Sequence, residues 1–264
     1  MVAASAEYWV VALYSALAVC GLLGNIWVML MVVTELCGCC QPHSSHLRPS
    51  KPLIQCSANA YLLVLSVVDL ISILPVPLLA VDIIYNEWPF GIVLCKLLFF
   101  CEGANKSLSP LILTALSVDR YIAVCRPMVV RLRRSRFTIV VLFTSLTLSL
   151  FFIVPVLHHA EVNKMVDAKD QEHEKCVVQM SKTFDLFHIF ACYLLPLLLI
   201  VSVYTAILHR LYLHTRNSSV GRRTSISLSR VVKCSVFVVA FYFICWTPYW
   251  TLRLAAALQG IFHI

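Results

Sequence analysis

From Tyr8 to Val33 the chain runs for 26 residues without a charged side chain. At 1.5 Å per residue that is about 39 Å of helix, enough to cross a tilted bilayer. Such a stretch has no polar face to offer water, and inside a bilayer its backbone must satisfy its own hydrogen bonds, which a helix does. Apolar runs of similar length recur, so six spans are expected, at about 8–33, 60–81, 92–124, 137–157, 187–208 and 231–252. A cleaved signal peptide is a poor account of the first run, which has no basic start and exceeds a normal apolar h-region.

Composition agrees. Hydrophobic residues make up 60% and charged residues 13%, with a mean hydropathy of +0.86. That is too apolar for a soluble domain, and 7 glycines are too few for a porin-like barrel. The expected fold class is an all-α membrane protein in contact with lipid. The net charge of +8 does not call for nucleic acid, because the basic residues gather in two segments between spans. Five Arg fall within 126–136, and 209–233 holds six Lys or Arg and no acid. By the positive-inside rule both segments are cytoplasmic, which puts the amino terminus and, after six spans, residue 264 outside.

The spans carry a few polar residues that need reasons. Gly24-Asn25 reads as a structural pair, a close-packing point and an interhelical hydrogen-bonder. Asp69, the one charge in the second span, must face protein, water or a cation. Pro75 and Pro77 follow it, and the outer turn 82–96 carries Trp88-Pro89-Phe90-Gly91 ahead of Cys95. In the third span Glu102, Asn105, Lys106 and Ser109 recur at spacings of three and four, a polar stripe on one face. Glu102 stands four residues before Lys106, the favourable order for an ion pair within a helix. Pro110 removes a donor just below the stripe and should bend the helix there.

Cys95 and Arg120 are 25 positions apart, about 37 Å of helix, so they lie at opposite membrane faces. Twelve cysteines do not make a disulfide scaffold, since Cys20, Cys101, Cys125, Cys192, Cys234 and Cys245 lie in apolar runs. Cys95 and Cys176 are lone thiols in two segments on the same side, and a disulfide between them is the economical expectation if that side is oxidising. The first inner connection, 34–58, is rich in Cys, Pro and His. Cys37, Cys39 and Cys40 fit no firm zinc template and are read as part of a disordered insertion. Arg222-Arg223-Thr224-Ser225 has the look of a kinase target within a solvated basic loop.

At the cytoplasmic end of the third span an acid, a base and a phenol stand together as Asp119-Arg120-Tyr121. They read either as the solvated end of a span or as a functional latch, because an ionisable group at the boundary is costly unless paired. Pro196 and Tyr204 lie in the fifth span. The sixth carries Cys245-Trp246-Thr247-Pro248-Tyr249-Trp250, where Pro248 frees a carbonyl and makes a kink about which the inner half can swing.

Taken together and in order, these residues resemble the rhodopsin-like G-protein-coupled receptors. The resemblance runs from Gly24 to Tyr249 and is most like the somatostatin, opioid and allatostatin-C type of neuropeptide receptor. It implies a seven-helix receptor bundle at the plasma membrane, six of whose spans lie in this chain, switching without covalent chemistry and so not as an enzyme. The implied partners are an extracellular neuropeptide, a heterotrimeric G protein inside, and further receptor copies in homo- or hetero-oligomers. The ligand set it implies is Glu102, Lys106, His188, Trp246, Tyr249 and Arg253. Asp119 would hold Arg120 at rest, and Tyr204 would reach toward Arg120, beside Tyr121, once the sixth span moves outward. Asp69, Asn105 and Ser109 would hold an allosteric sodium ion that favours the inactive state, with no other cofactor. Cys95 and Cys176 would be the disulfide tying the second outer loop to the third span.

Some positions depart from the family pattern. No seventh span with its Asn-Pro element is read before Ile264, the fourth span lacks the usual Trp, and Tyr242 replaces the usual Phe beneath Trp246. Lys106 stands where it can neutralise Glu102, and no outer segment carries an N-glycosylation sequon. Two alternatives follow: a truncated six-span decoy or dominant-negative partner of a full-length receptor, and a receptor for a small amine should Glu102 be free.

Overall fold

The computed structural model describes residues 2–40, 53–125, 135–166, 170–217 and 222–262. Among them, six helices are long and apolar enough to cross a membrane: Glu7–Thr34, Ser57–Tyr85, Gly91–Cys125, Arg136–His158, Lys182–Leu213 and Val236–Leu258. The chain is a multi-pass helical membrane protein. Its elements are α1 (Val2–Cys40), α2 (Leu53–Ile73), α3 (Val76–Tyr85), α4 (Gly91–Cys125), α5 (Ser135–His158), β1 (Ala160–Val166), β2 (Glu172–Val178), α6 (Lys182–Ile189), a π-helical turn at Phe190–Leu194, α7 (Leu195–Asn217) and α8 (Arg222–Phe262).

Several helices outrun the expected spans, because hydropathy marks the membrane-facing length whereas a helix ends where its backbone is interrupted. Residues 34–40 and 53–58, expected in the first connection, are helical, and so are 82–85 at the outer end of the second span. Pro155 lies inside α5, which ends three residues later at His158. The second span is broken where its prolines stand: α2 stops at Ile73, the Leu74 N–H bonds back three residues to the Ile71 carbonyl (3.3 Å), and α3 restarts at Val76. Neither Pro75 nor Pro77 has an N–H to give the preceding turn, so the ladder has to restart. The Cys37, Cys39 and Cys40 side chains, the arginines at 126–134 and the Arg222–Ser225 side chains lie outside the described residues.

By contacts the chain forms two units. The first comprises Met1–Cys40, Leu62–Ser109 and Leu146–Met180. Here the close approach on α1 is not at Gly24, where an added Cβ meets nothing within 4 Å, but at Gly21, where it would meet Ile73 Cδ1 at 3.0 Å. Asn25 donates to the Gly21 carbonyl of its own helix (3.0 Å) rather than across helices. A polar amide in lipid takes the nearest acceptor, and the i−4 carbonyl is always in reach.

This unit also holds a hairpin that the mixed polar sequence of 158–182 did not announce. Strands β1 and β2 pair antiparallel, with Val162 opposite Cys176 and Lys164 opposite Glu174. Val162 and Cys176 turn onto a small core of Trp88, Cys95 and Leu98. Trp88 is the hub of that core: its indole N–H donates to the Gly91 carbonyl (2.9 Å), its backbone N–H to the Glu174 carbonyl (2.8 Å), and its ring meets Phe90 edge to face. The turn closes because Gly91 adopts φ +69°, a conformation a side chain resists.

The second unit comprises Gln41–Tyr61, Pro110–Ser145 and Ser181–Ile264. The π-helical turn precedes Pro196, and the Leu195 N–H reaches back five residues to the Phe190 carbonyl. The widened turn accommodates the following proline, which has no N–H for a regular ladder. It also carries Tyr193, whose hydroxyl bonds the Thr247 hydroxyl at 2.7 Å.

Candidate functional site

In the first unit Glu102 and Lys106 of α4 pair as their spacing suggests. Lys106, 8% exposed at its side chain, is ion-paired with Glu102, which is 40% exposed. Glu102 is therefore not available on its own to a ligand amine, which weighs against the small-amine alternative. The pair is asymmetric in burial: losing Glu102 takes a charged partner from a buried ammonium, whereas losing Lys106 leaves a carboxylate that can rehydrate. Glu102→Gln should thus lower the thermal stability of the detergent-purified chain by about 2 kcal/mol, and Lys106→Met by less than half of that. The opposite order in a thermal unfolding assay would refute the asymmetry.

One turn further in, Asn105 donates to Asp69 Oδ1 (3.1 Å) and to the Ser72 hydroxyl (3.0 Å). Ser72, which the sequence did not single out, donates its own proton to the Asp69 carbonyl at 2.7 Å. Ser109 is fully buried, and its hydroxyl has no partner among the described residues. At the amino-terminal end of α4, Cys95 is joined to Cys176 with Cα atoms 5.6 Å apart. Lys175 adds a second tether, donating to the Asp82 carboxylate at 3.0 Å. On the exposed strand pair Glu172 bonds Lys164 and raises the pKa of its ammonium.

In the second unit Asp119 is buried at 7% exposure and accepts a hydrogen bond from the Ser57 hydroxyl of α2 at 3.0 Å. Arg120 and Tyr121 are half-buried. Tyr204 on α7 is buried, and its hydroxyl has no partner among the described residues. Sequence reasoning missed Ser57, since 62 positions separate it from Asp119 and nothing local marks it.

The facing ends of α6 and α8 in this unit are layered. Arg253 of α8 is ion-paired with Asp185 of α6. Below it His188, 8% exposed, meets Trp250 edge to face at 5.3 Å. Tyr193 then stacks on Trp250 at 5.9 Å. Trp246 and Tyr249 meet edge to face with centroids 5.7 Å apart. Four of the implied ligand residues, His188, Trp246, Tyr249 and Arg253, thus belong to this unit, while Glu102 and Lys106 belong to the other.

Six lipid-length helices, a disulfide from the third to a β-hairpin, and an acid-base-phenol triplet at the other end of that helix define a multi-pass helical membrane protein. Residues 50–263 match the 7 transmembrane receptor (rhodopsin family), and the chain belongs to that family. It is 35% identical over 209 residues to the Caenorhabditis elegans protein named Probable G-protein coupled receptor C06G4.5, covering 74% of this chain and 47% of that protein. It is 33% identical over 214 residues to Neuropeptide receptor 18 of Caenorhabditis elegans, covering 72% of this chain and 45% of that receptor. The chain spans about half the length of these curated relatives.

Proposed function

We propose that this chain belongs to a plasma-membrane receptor, amino terminus outside, that binds an extracellular neuropeptide and passes the event to a heterotrimeric G protein. The observation that carries this reading is Asp119 buried beside Arg120 at the inner end of α4, held by Ser57, in a member of the rhodopsin family. The name of one relative, a neuropeptide receptor, supports the ligand class.

Signalling in this reading is a population shift. A ligand outside and a G protein inside each favour the same arrangement, so each raises the affinity for the other. Asp119 engaged by Ser57, together with a Tyr204 hydroxyl still awaiting a partner, supports taking the conformation described as the resting one. Activation then swings the inner part of α8 about Pro248 and lets Arg120 and Tyr204 change partners. Expressing the receptor in cells and screening a neuropeptide panel for G-protein activation tests this. A peptide that activates wild type but not Arg120→Ala is the expected result, and activation that survives Arg120→Ala refutes the switch.

The polar residues of α2 and α4 fit a sodium ion in their chemistry. Asp69 supplies a carboxylate, Ser109 a buried hydroxyl with no partner among the described residues, and Asn105 an amide already bonded to Asp69. These are hard oxygen donors suited to a hard cation. Asp69 and Ser109 would hold the ion, which would supply a fixed positive charge in a site otherwise costly for a carboxylate. Replacing potassium by sodium in the buffer is expected to lower agonist affinity about 5-fold in wild type, a coupling of about 1 kcal/mol, and to have no effect in Asp69→Asn. Equal sodium sensitivity in the variant removes Asp69 from that role.

A further inference from the structure

The pair at the outer ends of α6 and α8 shows its two members unequally. Asp185 lies in the first turn of α6, behind the Ser181 cap whose hydroxyl accepts the Phe184 N–H at 3.3 Å. Its side chain is 17% exposed, against 37% for Arg253. Arg253 gives an Nη2 hydrogen to Asp185 Oδ1. A guanidinium carries five N–H donors in a fixed plane, so Asp185 engages one corner of it, and no other partner of Arg253 is seen among the described residues. The guanidinium is thus the more exposed member of the pair.

The same face of α8 continues inward as an aromatic ladder. Tyr249 and Trp246 stand four and seven residues before Arg253, one above the other at helical spacing. Both are half-buried and in edge-to-face contact. In the first unit Glu102, the acid that would welcome a basic ligand, is paired with Lys106. The charge presented by the second unit thus favours the opposite ligand chemistry.

We propose that Arg253, held in orientation by Asp185, is the subsite for a ligand carboxylate, and that Tyr249 and Trp246 take the aromatic or large aliphatic side chain next to it. The ligand class is a peptide carrying a carboxylate beside an apolar side chain, supplied by a free carboxyl terminus or by an acidic residue one position earlier. The assignment names the ligand chemistry of the receptor proposed above and rests on that reading. A carboxylate can accept two parallel N–H bonds from the guanidinium edge, which an amide cannot match in charge or geometry.

The test measures binding directly, without G protein. The full receptor chain in nanodiscs is titrated with three pools of synthetic octapeptides ending in Phe, Tyr or Leu: as free acids, as carboxyl-terminal amides, and as amides with Glu at the preceding position. Thermal stabilisation of the protein reports binding. The free-acid pool, the Glu pool or both should bind about 10-fold or more tightly than the plain amides, and which of them does identifies the source of the carboxylate. Arg253→Gln should abolish that preference. The exchanged variant Asp185→Arg with Arg253→Asp keeps an ion pair, so it should fold while losing the preference for acids. Equal binding of all three pools, no binding of any, or an acid preference that survives Arg253→Gln or the exchange overturns the subsite. A pool that binds without activating a G protein would instead refute the receptor reading and leave the subsite standing.

Discussion

Cys176→Ser should cost this protein more than any single substitution in its apolar helices. The bond to Cys95 closes a loop across a sequence separation of 81 residues. Taken by chain entropy alone, a loop of that size is worth about 4.5 kcal/mol, and membrane-inserted helices that already restrict the reduced chain bring the expectation down to about 3 kcal/mol. The hairpin's other ties do not replace it. The Glu174 carbonyl on the Trp88 N–H (2.8 Å) and Lys175 on Asp82 (3.0 Å) contribute about 1 kcal/mol each. That is too little to keep two seven-residue strands docked against the entropy of ordering them. We expect at least a 5-fold loss of protein at the cell surface, with Trp88 fluorescence shifting as its core opens to water. Cys95→Ser should do the same, and the double variant should be no worse than either single one, since the two residues act as one bond. Additive losses in surface abundance would show that each cysteine matters for a separate reason.

How much of this was legible beforehand follows from where the information sits. The six apolar helices were readable because a bilayer imposes length and polarity on each span by itself, with no knowledge of neighbours. The Glu102–Lys106 pair was readable for a similar reason, both partners lying on one helix at a fixed spacing. Contacts between distant positions were not. Ser57 on Asp119 and Asp185 on Arg253 span 62 and 68 positions. Nothing in a lone Ser or Asp near a helix end says which base or acid it will meet. The hairpin was hidden for another reason. Its strands alternate weakly and carry acids and lysines on both faces, and what fixes their register is Val162 and Cys176 turning onto Trp88, a tertiary contact. The π-helical turn before Pro196 also left no periodic trace, since one widened turn shifts the pattern by a single residue.

The carboxyl-terminal end of α4, in the receptor proposed above, yields the other large effect. Arg120→Ala should leave ligand binding within about 3-fold of wild type and reduce G-protein activation by at least 10-fold, the consequence of losing an interaction made in only one of two states. Its neighbours should act with opposite signs. The buried hydrogen bond from Ser57 to the Asp119 side chain is worth about 1.5 kcal/mol. If it exists only at rest, Ser57→Ala raises the active fraction about 10-fold and appears as increased signalling without ligand. Tyr204 works the other way. Its buried hydroxyl, with no partner among the described residues, costs about 1 kcal/mol or more in the arrangement described, and that cost disappears once the hydroxyl finds a bond. Tyr204→Phe removes both the cost and the reward, so the variant should be slightly more heat-stable and yet respond less to agonist. A bulkier or weaker core would lower stability and response together. Thermal unfolding and agonist response measured on the same preparation separate the two cases, and a Tyr204→Phe protein that is both less stable and unchanged in response would refute a switching role for that hydroxyl.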